Sequence, residues 1–175
     1  LAFESEKLLE DLKNGTSLPQ GFLRHIDPSI GDIPTLEKAV EMFKNTPGAL
    51  TKDEPITRLI KCGADIDKIG IARGSAYELE TAYKLKTKGE EVIKIGEKIA
   101  GRDFDIITQT KLIECKAIDW NKMPVTRMDK MKSTYCDQLR ISTELEKVFE
   151  IHSKTSIPNA WKEWFIKKGL TFIEG

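Results

Sequence analysis

One change of hydrophobic period constrains this chain more than any other feature. From Ile71 to Gly89, in IARGSAYELETAYKLKTKG, apolar residues recur at the three- and four-residue steps of a long helix. In EEVIKI, GRDFDIIT and LIECKAI the period drops to two, as in strands, with a Gln-Thr-Lys turn between the last two. After Pro124 the helical period returns: Met128, Met131, Tyr135, Gln138, Leu145 and Phe149 predict one long amphipathic helix. IPNAWKEWFIKKG then reads as a helix and LTFIE as a last strand. This order predicts an α/β domain over residues 71–175, a mixed sheet with helices on both faces.

Residues 1–70 have a different texture. Leu8, Leu9 and Leu12 share a helix face that stops at Gly15, and Pro34 opens a second helix carrying Leu36, Ala39, Val40 and Phe43. A third runs through DEPITRLIKCG, with Asp53 as its cap, Pro55 in the first turn and Gly63 as the stop. The region reads as a small helical module with no chemistry assigned to it. His25 beside Asp27 reads as a surface or capping residue, and His152 stands in no ligand cluster, which argues against a His-rich metal site.

Composition narrows the classes further. The 28 basic and 28 acidic side chains cancel, unlike a non-specific nucleic-acid binder. Residues 1–70 carry 9 basic and 12 acidic, so residues 71–175 hold the positive excess and are the part expected to meet phosphate. Cys62, Cys115 and Cys136 are odd in number and form no CxxC pair, against a disulfide framework or structural zinc site. No apolar run approaches the roughly 20 residues that span a bilayer, and the start, LAFESEKLLEDLK, is too acidic for a signal peptide.

The chemistry concentrates in DFDIITQTKLIECK. Alternate strand residues share a face, so Asp103, Asp105 and Ile107 point one way, as do Leu112, Glu114, Lys116 and Ile118 on the next strand. A hairpin brings these faces together. Two carboxylates and an ammonium among apolar neighbours are costly unless a cation and hydrogen bonds compensate, and a hard divalent ion suits oxygen ligands. On the preceding helix Glu78 shares a face with Ala82 and Leu85, whereas Glu80 lies on the far side with Arg73 and Lys84, where a solvent-exposed pair with Lys84 is its ordinary role. Carboxylates holding Mg²⁺ or Mn²⁺, with a lysine to orient water or offset developing charge, suit phosphodiester hydrolysis. The competing interpretation is a surface hairpin with a cross-strand salt bridge from Asp105 or Glu114 to Lys116, worth about 0.2–1 kcal/mol.

GSAYELETAYKLKTKGEEVIKI, DFDII and LIECKAI, in that order, resemble the PD-(D/E)xK, or restriction-endonuclease-like, nucleases. The resemblance covers residues 71–120 well and 121–175 loosely. It implies that Glu78 is the helix glutamate, Asp105 the metal-binding aspartate and Glu114 and Lys116 the Glu-x-Lys pair. Mg²⁺ or Mn²⁺ would then be held by Asp105, Glu114 and Glu78. Gln138 looks like the glutamine some members keep near the site; Asp103 and Glu80 are possible supporting residues, Asp103 as an outer ligand. The chain departs from the family pattern in having Phe104 where proline precedes the aspartate, and in its short hairpin.

Substrate contact is expected from WNKMPVTRMDKMKST, whose Lys122, Arg127, Lys130 and Lys132 form a basic cluster. Trp120 beside it either stacks on an unpaired base or belongs to the core. A helical module before a small nuclease core also resembles the C-terminal toxin regions of contact-dependent growth inhibition and other polymorphic bacterial toxin proteins. That likeness implies a cell-entry role for residues 1–70 and tRNA as substrate. It also implies a cognate immunity protein, and delivery within a larger secreted or cell-surface protein to the cytoplasm of a target bacterium. The alternatives are a DNA endonuclease of toxin, repair or mobile-element type using the same site, and a non-catalytic binding module.

Overall fold

The alternating segments after Gly89 form β1 (Val92–Ile99), β2 (Arg102–Thr108) and β3 (Lys111–Lys116) in the computed structural model, which describes residues 2–175. These strands run antiparallel, with Ile95 opposite Ile106 and Ile107 opposite Leu112. Ala100 and Gly101 both take positive φ in the first hairpin turn, the backbone that matches strand twist. In the second turn Thr108 Oγ accepts the Lys111 N–H at 2.9 Å. The chain then passes through α5 (Val125–Glu144) to β4 (Val148–Ser153), and through α6 (Asn159–Lys168) to β5 (Thr171–Glu174). β4 and β5 each lie parallel to the strand before, as helical crossovers allow. The result is a five-stranded mixed sheet in the order β1-β2-β3-β4-β5.

Helices cover both faces. On one, Ile106, Ile113 and Cys115 meet Ala76, Leu79 and Ala82 of α4 (Ile69–Thr87). The same apolar cluster runs on into Leu36 and Phe43 of α2 (Ile33–Phe43), Leu59 and Ile60 of α3 (Pro55–Cys62), and Leu9 and Leu12 of α1 (Ala2–Lys13). The helices of residues 1–70 therefore share one core with α4 and the sheet. On the other face Ile107, Leu112, Phe149 and Ile151 pack with Tyr135 and Ile141 of α5 and with Trp161 and Phe165 of α6. Each such side chain contributes about 1.5–3 kcal/mol when fully buried. The outer edge of β1 is covered in part by a loop, where Ile95 N–H donates to Pro47 O at 3.0 Å, so that stretch of edge presents no open pairing surface.

Two local expectations change. The helix expected to run from Met128 to Phe149 ends at Glu144, and VFEIHS forms the strand β4. Glu146, at φ 58, breaks the helix without a glycine, which is why the helical spacing of Leu145 and Phe149 misleads. Leu145 is a half-exposed cap, while Phe149 is buried opposite Leu112. The cap of α3 is Glu54, not Asp53, and its side chain makes no capping hydrogen bond. Among the described residues no helix is long and apolar enough to cross a membrane.

Candidate active site

The site forms where β2 and β3 part. Their ladder consists of Ile106 with Ile113 and Ile107 with Leu112. Beyond it, the Cys115 N–H donates to Asp105 Oδ2 at 2.7 Å, a side chain standing in for a backbone acceptor. The carbonyl of Asp103 is met by Gln138 Nε2 of α5 at 2.8 Å. Buried main-chain groups must be paired, so these two side chains are what lets the strands diverge. Phe104 and Ile106 show the same twist: two residues apart, they belong to clusters on opposite faces.

Glu114 and Lys116 project from β3 into this opening, with Glu114 Oε2 3.2 Å from Lys116 Nζ. The Glu114 side chain is 12% exposed and that of Lys116 24%, so both are drawn from solvent while a path to it remains. Gln138 Nε2 also lies 3.5 Å from Glu114 Oε1. Glu78 arrives from α4 and feels Glu114 and Lys116 directly. Glu78, Asp105, Glu114 and Lys116 thus meet in one place.

Their electrostatics are those of an under-compensated cluster. Burial, then the charges of Glu114 and Glu54, push the Glu78 carboxyl up to about 8. Burial and the charges of Glu114 and Glu78 hold Asp105 well above the usual carboxylate range, against the pull of the Cys115 N–H and Lys116. For Lys116, burial works against the ammonium, but Glu114 and Asp105 outweigh it and its pKa rises. The raised carboxyl groups of Glu78 and Asp105, which feel Lys116 and, at Glu78, the charge of Arg58, hold protons that a bound cation could displace. Two buried polar atoms beside the cluster, Gln138 Oε1 and Tyr135 Oη, have no hydrogen-bond partner. Among the described residues no three His, Cys, Asp or Glu side chains stand in the geometry of a preformed metal cage.

The remaining candidates are placed differently. The Asp103 side chain is exposed at the rim, where its charge acts on Glu54. Glu80 is neither at the site nor in an open pair with Lys84: it lies half-buried against Gly31, where a Cβ would collide with it. Trp120 is a correction to the base-stacking expectation. It is 3% exposed, packs against Trp161 and Phe165, and donates its indole N–H to Ser153 Oγ at 2.9 Å, so no face is left for a base. Lys132 sits over Trp161 and Trp164, 5.3 and 5.4 Å from their ring centres, in cation–π contact. Lys122 is exposed near Asp119, and Lys130 is exposed on α5. Arg127 is also exposed, and its charge reaches Lys116 and Tyr135.

Three residues were missed by sequence reasoning. Tyr135 read as one more apolar position, although its spacing of three from Gln138 puts both on one face of α5. Glu54 and Arg58 of α3, whose charges act on Glu78, carry no local signal at all. Comparison with protein families, with curated proteins and with solved structures finds no match to the chain.

Proposed function

We propose that the chain is a metal-dependent nuclease that hydrolyses phosphodiester bonds of RNA, with tRNA its substrate. The observation that carries this reading is the meeting of Glu78, Asp105, Glu114 and Lys116 where β2 and β3 part. A surface salt bridge does not account for it, because a solvated hairpin has no reason to sequester three mutually repelling carboxylates. The donor set fits a hard cation. Three carboxyl groups outnumber the two cations that act on them, Lys116 and Arg58, and Mg²⁺ is commonly held by one or two carboxylates with its other positions left to water and substrate phosphate, without a full protein cage.

Asp105 and Glu114 would hold the ion, with Glu78 beside them. Bound there, Mg²⁺ or Mn²⁺ would supply charge for a phosphoryl oxygen and a water of lowered pKa. The chain's own part is positional. Lys116, fixed by Glu114, orients the attacking water or offsets charge developing on the phosphate. Gln138 holds Glu114 in place, and Arg127 meets the backbone phosphates at the rim. The toxin reading adds delivery within a larger secreted or cell-surface protein, action in the cytoplasm of a target bacterium, and an immunity protein that protects the producer. It is supported by sequence order alone, a helical region ahead of the strands that carry the site.

The test is incubation of the protein with total tRNA and with plasmid DNA in Mg²⁺, with and without EDTA. Wild type is expected to cut tRNA and to stop in EDTA, and Glu114→Gln and Lys116→Ala are each expected to lose about 10²-fold or more. Cleavage of plasmid with tRNA spared would make the chain a DNA endonuclease at the same site. Cleavage that survives both substitutions would overturn the assignment.

A further inference from the structure

Glu54 occupies the N-cap of α3 in an extended backbone conformation, yet its side chain leaves the helix N–H groups alone. Glutamate is not among the side chains favoured at an N-cap, and this one is turned elsewhere. The carboxylate lies instead over Gly96 of β1, so close that a Cβ there would overlap both oxygens. Gly96 takes φ 75, a conformation glycine adopts without steric cost. It stands between Ile95 and Glu97, whose partners on β2 are Ile106 and Phe104; the residue across from Gly96 is therefore Asp105. A bare glycine in the strand next to the site thus seats a carboxylate brought from outside the sheet.

The charges agree with this placement. Glu54 acts on Glu78, Asp103 acts on Glu54, and Arg58, one turn further along α3, acts on both glutamates. On the other side of the opening, Gln138 is 1% exposed and keeps Oε1 without a partner, an acceptor waiting for a donor such as ordered water. A hard ion of the Mg²⁺ type keeps several of its waters, and outer carboxylates can hold those.

We propose that Glu54 is a further carboxylate of the reaction centre, reaching it over Gly96 and helping to hold, through water, the divalent cation assigned to Asp105 and Glu114. The proposal rests on the nuclease reading above. It makes α3 part of the catalytic apparatus, so residues 1–70 build the site as well as the core.

Calorimetric titration of the full chain with MnCl₂ tests it, using wild type, Glu54→Gln, Gly96→Ala, Glu114→Gln and the surface control Glu41→Gln. Groups that orient a metal's surroundings typically change affinity by about 10–100-fold. Glu54→Gln is therefore expected to weaken Mn²⁺ binding about 10-fold, with tRNA cleavage recovering as Mn²⁺ is raised, while Glu41→Gln changes neither. Gly96→Ala should move affinity the same way by displacing the carboxylate. Glu54→Gln is nearly isosteric, and its circular dichroism should match wild type. Wild-type Mn²⁺ affinity in Glu54→Gln, alongside loss in Glu114→Gln, would overturn the proposal and leave the nuclease reading standing. Absence of Mn²⁺ binding by wild type would overturn both.

Discussion

Glu78 shows how far one side chain can be moved from its ordinary chemistry. Its carboxyl is raised from 4.5 to about 8 by burial and by Glu114 and Glu54, with Arg58 and Lys116 pulling the other way. Between those values the folded protein keeps a proton that the unfolded chain has released. The stabilising contribution is therefore complete below about pH 4.5 and is lost as pH rises through about 8. Asp105, raised in the same direction, adds to the slope. In thermal denaturation without metal, the midpoint is expected to fall by several degrees from pH 5.5 to 8.5, at roughly 2–4 °C per kcal/mol for a chain of this size. Glu78→Gln, neutral throughout, should flatten that dependence; an unchanged slope would mean that Glu78 titrates as an ordinary carboxylate. Glu78, Asp105, Glu114 and Lys116 could be singled out as candidates from spacing, because a helix face and two strand faces are local properties. Their proton affinities could not, because each depends on which other charges the fold brings near.

At the scale of elements, the boundary between α5 and β4 turns on Glu146. A non-glycine residue at φ 58 costs about 1–2 kcal/mol relative to a right-handed conformation, a cost glycine avoids. Glu146→Gly is accordingly expected to raise stability by about 1 kcal/mol in urea denaturation, whereas a loss of stability would show that the side chain makes a compensating contact. This position also explains the missed strand. The residues after it, Val148 to Ser153, alternate well enough for a strand, but Leu145 and Phe149 continue the helical spacing by coincidence, and nothing in the local sequence marks Glu146 as left-handed. The helix of residues 69–87 and the strands around Asp105 and Glu114 were legible for the opposite reason: their periodicities are long, unmixed and bounded by Gly89 and Gly101.

For the whole molecule, the apolar cluster that joins α1, α2 and α3 to α4 and the sheet is decisive. Residues 71–175 alone would leave α4 without Leu36, Phe43, Leu59 and Ile60, which now share its apolar core. At about 1.5–3 kcal/mol for each buried apolar side chain, losing four such partners is comparable with the net stability of a typical domain, about 5–15 kcal/mol. A fragment of residues 71–175 is expected to lack a cooperative thermal transition and near-ultraviolet dichroism; a sharp transition in the fragment would show that the second region folds independently. The contrast in charge and texture between the two regions is real in the sequence, but a compositional border need not be a packing border, since apolar faces of separate segments carry no record of which partner they meet.

The sequence by itself determined the local order: a helix bearing Glu78, a hairpin bearing Asp105, Glu114 and Lys116, and the α/β character that follows from their periods. The tertiary structure decided what those elements do to one another. It put Trp120 under Trp161 and Phe165 instead of in a groove, made β4 the strand beside β3, and seated the Glu54 carboxylate over Gly96. The physical reason is range. Periodicity and turn chemistry act over a few residues, whereas burial, charge coupling and strand neighbours are set by contacts between segments far apart in the chain.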